Sequence, residues 1–251
     1  MEITPLTGLG LVVFGLVVGT YGTIIGAGGG FLIVPMLLLL FHLAPAQAAG
    51  TSLAVVFLNA VAGAISYARH KRIDYRAGLW FAAATLPGSI AGAFLSKYFS
   101  GRTFDITFAA LLLAVAAFLI WKPERPSGPG ERHEYSLATG VVISLFVGIL
   151  SSALGIGGGI IHVPAMIHLL SFPAAIAAAT STFILAFSSL FGGVTHVALG
   201  HVLYGPAALM GLGVIGGAQI GAAIAKRAKG ALVVRLLAVA LIGTAIRLLA
   251  R

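Results

Sequence analysis

From Gly8 to Ile25 the chain runs 18 residues without a charged side chain, from Ala46 to Ala68 it runs 23, and from Leu137 to Leu154 another 18. At a helical rise of about 1.5 Å per residue, each run can cross a hydrocarbon core of roughly 30 Å. Lipid offers no partner to an unpaired backbone N–H or C=O, so runs of this length and spacing must span as helices. Only 8% of the residues are charged and 59% are hydrophobic, against about 25% charged in an ordinary soluble domain. The expected fold class is an all-α polytopic membrane protein. Glu2 and no Lys or Arg precede the first apolar run, which therefore lacks the basic start of a cleavable signal peptide and is expected to stay. There is no cysteine, which excludes disulfides, thiolate metal sites and Cys nucleophiles.

The chain also repeats itself. An offset of 129 positions lays Gly26-Ala27-Gly28-Gly29-Gly30 on Gly155-Ile156-Gly157-Gly158-Gly159, Val34-Pro35 on Val163-Pro164 and Thr51-Ser52 on Thr180-Ser181. Without a gap it also pairs Gly63 with Gly192, Tyr75 with Tyr204, Gly92 with Gly221 and Lys97 with Lys226. Residues 1–122 and 136–251 read as two homologous membrane repeats, and the polar, Pro- and Gly-rich stretch 123–135 reads as a cytoplasmic linker. Each repeat holds about five helical segments, near 6–25, 31–42, 46–68, 77–98 and 103–121, then 137–154, 160–170, 174–198, 205–225 and 231–250. A Gly-rich break separates the first two of each set. The second is short and carries Pro35 or Pro164, and short, interrupted segments at matching places point to a transporter's binding site.

Net charge is +9, with the basic residues clustered between apolar segments, where they signal orientation and give no footprint for nucleic acid. If the first two segments of a half add no net change of side, the halves are inverted. Arg69, Lys71, Arg72, Arg76, Lys122, Arg125, Arg132, Lys226, Arg227 and Lys229 then all fall in cytoplasmic loops, leaving Lys97, Arg102, Arg247 and Arg251 outside. Parallel halves would move Lys226, Arg227 and Lys229 outside and weaken the positive-inside bias, so inverted topology is favoured.

The glycine runs end one helix and open the next, so backbone N–H groups there lack partners in the preceding helix. With the positive end of the helix dipole they form an anion site without a charged side chain; the plainer role for glycine is close helix packing. Ser52, Asn59 and Ser66, matched by Ser181, Ser188 and Thr195, recur every seven residues and share a helix face. Their plainer role is bonding to helix carbonyls; as a stripe in both halves they would line a polar path. His162 aligns with apolar Ile33, and it could add positive charge or carry a proton, although a lone histidine is more often a packed residue. His162 and His168 stand too far apart for one helix face, and no metal site is expected. Glu2, Asp74, Asp105, Glu124, Glu131 and Glu134 are placed in loops or at segment ends, which argues against the buried carboxylates of cation carriers. Walker loops, Gly-x-Ser-x-Gly elbows and metal-ligand helices are missing, so no enzymatic activity is expected.

Two halves, each with GxGGG, an apolar-Val-Pro helix and a Thr-Ser pair about 20 residues on, resemble the sulfite exporter TauE/SafE family over nearly the whole chain. The resemblance implies a secondary transporter of small sulfur-containing anions, such as sulfite or short organosulfonates, in a bacterial or archaeal plasma membrane, with no cofactor. An anion channel, or a permease for another small anion, is the alternative. Mapped motif to motif, the substrate site is expected among Gly28, Gly29, Gly30, Thr51, Ser52, Gly157, Gly158, Gly159, Thr180 and Ser181, with Asn59, His162 and Ser188 added from the polar stripe and the second short helix. The expected partners are a small anion, the lipid bilayer and, as a candidate, a second copy of the chain.

Overall fold

In the computed structural model, residues 4–99, 101–121, 135–225 and 230–250 are described. Residues 123–134, with Arg125 and Arg132, and also Lys122, Lys226, Arg227, Lys229, Arg251 and the acidic Glu2, Glu124, Glu131 and Glu134, lie outside the described residues. The described residues form ten α-helices: α1 Pro5–Ile25, α2 Gly30–Leu40, α3 Pro45–Arg69, α4 Tyr75–Leu95, α5 Gly101–Trp121, α6 Leu137–Leu154, α7 Gly159–His168, α8 Ala174–Ala198, α9 Tyr204–Ala225 and α10 Gly230–Leu249. Seven are long and apolar enough to cross a bilayer, whereas α2 and α7, with 11 and 10 residues, are not. Local chemistry sets the ends. Thr4, Asp74 and Ser136 cap α1, α4 and α6 by accepting a backbone N–H three residues on, and left-handed Gly26 and Gly155 stop α1 and α6.

Helix α1 packs along α9, α4 along α6, α3 against α8, and α5 against α10. The first two pairs approach so closely that backbone meets backbone. Gly213, Gly217 and Gly221, one turn apart on α9, lie against the carbonyls of Val12, Leu16 and Thr20 on α1, and a β-carbon on any of them would collide there. The same crossing recurs where Gly88 and Gly92 of α4 meet the carbonyls of Leu145 and Ile149 on α6. Without a hydrophobic drive between helices in lipid, such small-residue contacts supply dispersion by close approach. The buried centre holds α3 and α8 with Thr51, Ser52, Asn59, Thr180 and Ser181 fully enclosed, while large apolar side chains such as Leu6, Trp80, Phe146 and Leu212 face outward, as a lipid-facing surface requires. Asp105 departs from its expected place at a segment end. It lies more than a turn into α5 and is 5% exposed.

Candidate functional site

Each glycine run turns the chain through consecutive left-handed residues. Gly28 and Gly29 have φ of 73° and 83°, and Gly157 and Gly158 have 80° and 89°, a region closed to most residues by their β-carbons. The N–H groups of Ala27 and Gly28 still bond to the Gly22 carbonyl at 2.9 and 3.2 Å, and Ile156 N–H to the Ser151 carbonyl at 3.0 Å. The expectation of unpaired donors therefore shifts by a few residues. Among the described residues, Gly29, Gly30 and Phe31 in one break, and Gly157 to Ile160 in the other, have N–H groups without a backbone partner.

The two breaks touch. A β-carbon on Gly30 would sit 2.7 Å from the Gly155 carbonyl oxygen, and one on Gly159 would strike the Gly26 carbonyl. Val56 and Leu185, 129 positions apart in the sequence, both pack into the corners at Gly28 and Gly157.

Helices α3 and α8 brace this crossing from the two sides. Ser52 donates to the Gly155 carbonyl at 2.7 Å, and Ser181 to the Gly26 carbonyl at 2.9 Å, so each break is held by a serine from the opposite half. Asn59 donates its amide N–H to the Gly28 carbonyl at 3.1 Å and accepts from Thr23 at 3.2 Å, and Ser188 donates to the Gly157 carbonyl at 3.3 Å. The structure thus gathers Gly28, Gly29, Gly30, Ser52, Asn59, Gly157, Gly158, Gly159, Ser181 and Ser188 at one centre. The protons of Ser52 and Ser181 are given to carbonyls here, leaving lone pairs rather than donors. Thr51 and Thr180 are placed differently. Their hydroxyls accept the backbone N–H groups of Leu203 and Asp74, both at 3.0 Å, and so hold the segments that lead into α9 and α4.

His162 is buried in α7 at 2% exposure, with Nε2 3.1 Å from Ser144 Oγ. Ser144 donates its own proton to the Gly140 carbonyl at 2.7 Å, so His162 Nε2 is the donor, and its Nδ1 has no partner among the described residues. His168 ends α7 with its ring edge-on to Phe118. Ser66 is buried, and Thr195 bonds to the Phe191 carbonyl of its own helix.

Sequence reasoning missed two further anchors. The Tyr67 hydroxyl donates to the Thr23 carbonyl at 2.7 Å, and His196 Nε2 lies 3.0 Å from the Ser152 carbonyl. These are equivalent positions at the offset of 129, and comparing that pair across the offset is the signal that would have found them.

Seven long apolar helices around a buried, hydrogen-bonded centre define an integral, polytopic α-helical membrane protein. The sulfite exporter TauE/SafE family matches over residues 11–248, and the chain belongs to that family. It is similar to the probable membrane transporter protein YunE of Bacillus subtilis, 35% identical over 92% of this chain and 93% of the relative. A probable membrane transporter protein of Methanocaldococcus jannaschii is 26% identical over 86% of each chain, and the probable membrane transporter protein YfcA of Escherichia coli is 24% identical over 87% of this chain and 81% of its own. No solved structure matches the chain. Relatives named as transporters mark the family as one of membrane transporters rather than enzymes, and their bacterial and archaeal sources point to a plasma membrane.

Proposed function

We propose that the protein is a secondary transporter that exports small sulfur-containing anions, such as sulfite or short organosulfonates, by alternating access between two inverted repeats. The reciprocal bracing of the two glycine breaks by Ser52 and Ser181 carries this reading. Because each half holds the other's break, a rocking motion of one half against the other changes the same contact from both sides. The unpaired N–H groups at the starts of α2 and α7 supply neutral donors, and hydrogen bonds to charged groups contribute about 1.5–3 kcal/mol each. A fixed Lys would bind an anion tightly but slow its release, and isolated charges in the membrane are costly.

Purified protein should be heated with sulfite, sulfate, thiosulfate, sulfoacetate and chloride in turn. A ligand at about 100 times its Kd adds about 2.7 kcal/mol to the folded state, so one or more sulfur anions should raise the unfolding midpoint while chloride does not. Saturable counterflow of that anion in liposomes separates a transporter from a channel. Equal effects of all five anions, or uptake without counterflow, would reject the proposal.

A further inference from the structure

The segment between α8 and α9 is fastened down by two imidazoles. His196 Nδ1 and His201 Nδ1 are 3.1 Å apart, with His196 fully buried and His201 partly exposed. His196 Nε2 must donate to the Ser152 carbonyl, which can only accept. Its Nδ1 is therefore the lone-pair partner, and His201 Nδ1 carries the proton between them. The same segment is tied by Leu203 N–H to Thr51 Oγ1 and by His201 N–H to the His196 carbonyl at 2.9 Å. Gly50 of α3 lies directly beneath it, close to the β-carbons of both histidines.

The equivalent positions in the first half carry other chemistry. Tyr67 stands for His196, Thr23 for Ser152 and Arg72 for His201, and Arg72 Nη1 donates to the Ala225 carbonyl at 3.1 Å. Phenol and guanidinium each hold one protonation state across the physiological range, whereas imidazole does not. Neither Tyr67 nor Arg72 changes protonation there, whereas both His196 and His201 can.

We propose that His196 and His201 form a proton-binding site that releases the α8–α9 segment when both rings are protonated, which makes the proton the coupling ion; the coupling rests on the transporter reading above. The first added proton goes to Nε2 of His201, whose Nδ1 already carries one, and leaves the Nδ1–H···Nδ1 bond in place. A second, on His196 Nδ1, sets two N–H groups and two positive charges against each other, and the bond breaks. Among the described residues nothing else charged acts on the pair: α6 brings the Ser152 carbonyl, α3 brings Gly50 and Thr51, α9 brings exposed Tyr204, and the Coulombic partner of His196 is His201. Burial holds His201 below the ordinary imidazole range, so release comes on the acid side of neutrality.

The test needs no substrate. Amide hydrogen exchange of residues 199–204 in the purified full chain, corrected for intrinsic rates, should rise about tenfold between roughly pH 7.5 and pH 5. In the same samples residues 70–75 should change less than about twofold. His201→Gln keeps an N–H donor for His196 without a titrating ring, and the double variant His196→Tyr with His201→Arg imports the first-half chemistry; both should abolish the rise. Unchanged exchange in the wild type, or a full rise in both variants, overturns the proton site. In liposomes, the pH profile of anion counterflow should flatten in His201→Gln, and an unaltered profile overturns the coupling. If none of the sulfur anions is transported by the wild type, the proposed function falls, and the exchange experiment decides the proton site by itself.

Discussion

At the scale of single residues, the centre depends on atoms that are absent. Gly29 has φ of 83°, and a β-carbon there would press on Val18; at Gly158, with φ of 89°, it would lie 2.9 Å from Val147 Cγ1. Gly29→Ala and Gly158→Ala should each lower the unfolding midpoint by several degrees, since left-handed backbone costs a non-glycine residue about 1–2 kcal/mol before any clash. Both should weaken anion binding more than Lys97→Gln. Gly10→Ala, with nothing near its β-carbon, should be neutral in the same melting assay. Ser52→Ala and Ser181→Ala each remove a buried donor and leave the carbonyl of the opposite break unsatisfied, which costs about 1–3 kcal/mol. Calorimetric affinities about tenfold lower, at about 1.4 kcal/mol per decade, are expected in folded variants. Normal binding in both serine variants would show that the bracing is structural only.

At the scale of elements, the sequence placed every helix within a few residues, because apolar length, glycine and proline act locally. The Gly-Gly-Gly runs marked the breaks and Pro35 and Pro164 the short helices, as found. It could not say which helices touch. Glycine recurs every fourth residue on α9, yet only the structure shows α1 as the partner. Gly217→Ile should destabilise the α1–α9 pair strongly, since overpacking alone costs typically 1–3 kcal/mol and here the obstacle is backbone. Gly216→Ala, whose β-carbon would only reach ordinary contact with Leu16, should melt as the wild type does. Equal melting of the two variants would show that the close crossing does not form.

At the scale of the whole molecule, inverted repeats require the segment after α3 and the segment after α8 to lie on opposite faces of the membrane. The chain has no cysteine, so single cysteines at Arg72 and Gly200 report each face directly. The first should react with an impermeant thiol reagent only from the cytoplasm and the second only from outside; labelling of both from one side would refute inversion. The sequence by itself determined membrane insertion, the helix boundaries, the two breaks and the family resemblance. All of these follow from hydropathy, backbone stereochemistry and an offset that needs no coordinates. Only the tertiary structure decided what the polar side chains do. Ser52 and Ser181 reach across to the other half, Thr51 and Thr180 turn instead to the neighbouring segments, and His196 meets His201. Side chains on one helix face share a direction but not a partner, and the partner is fixed by how close the surrounding glycines let the helices come.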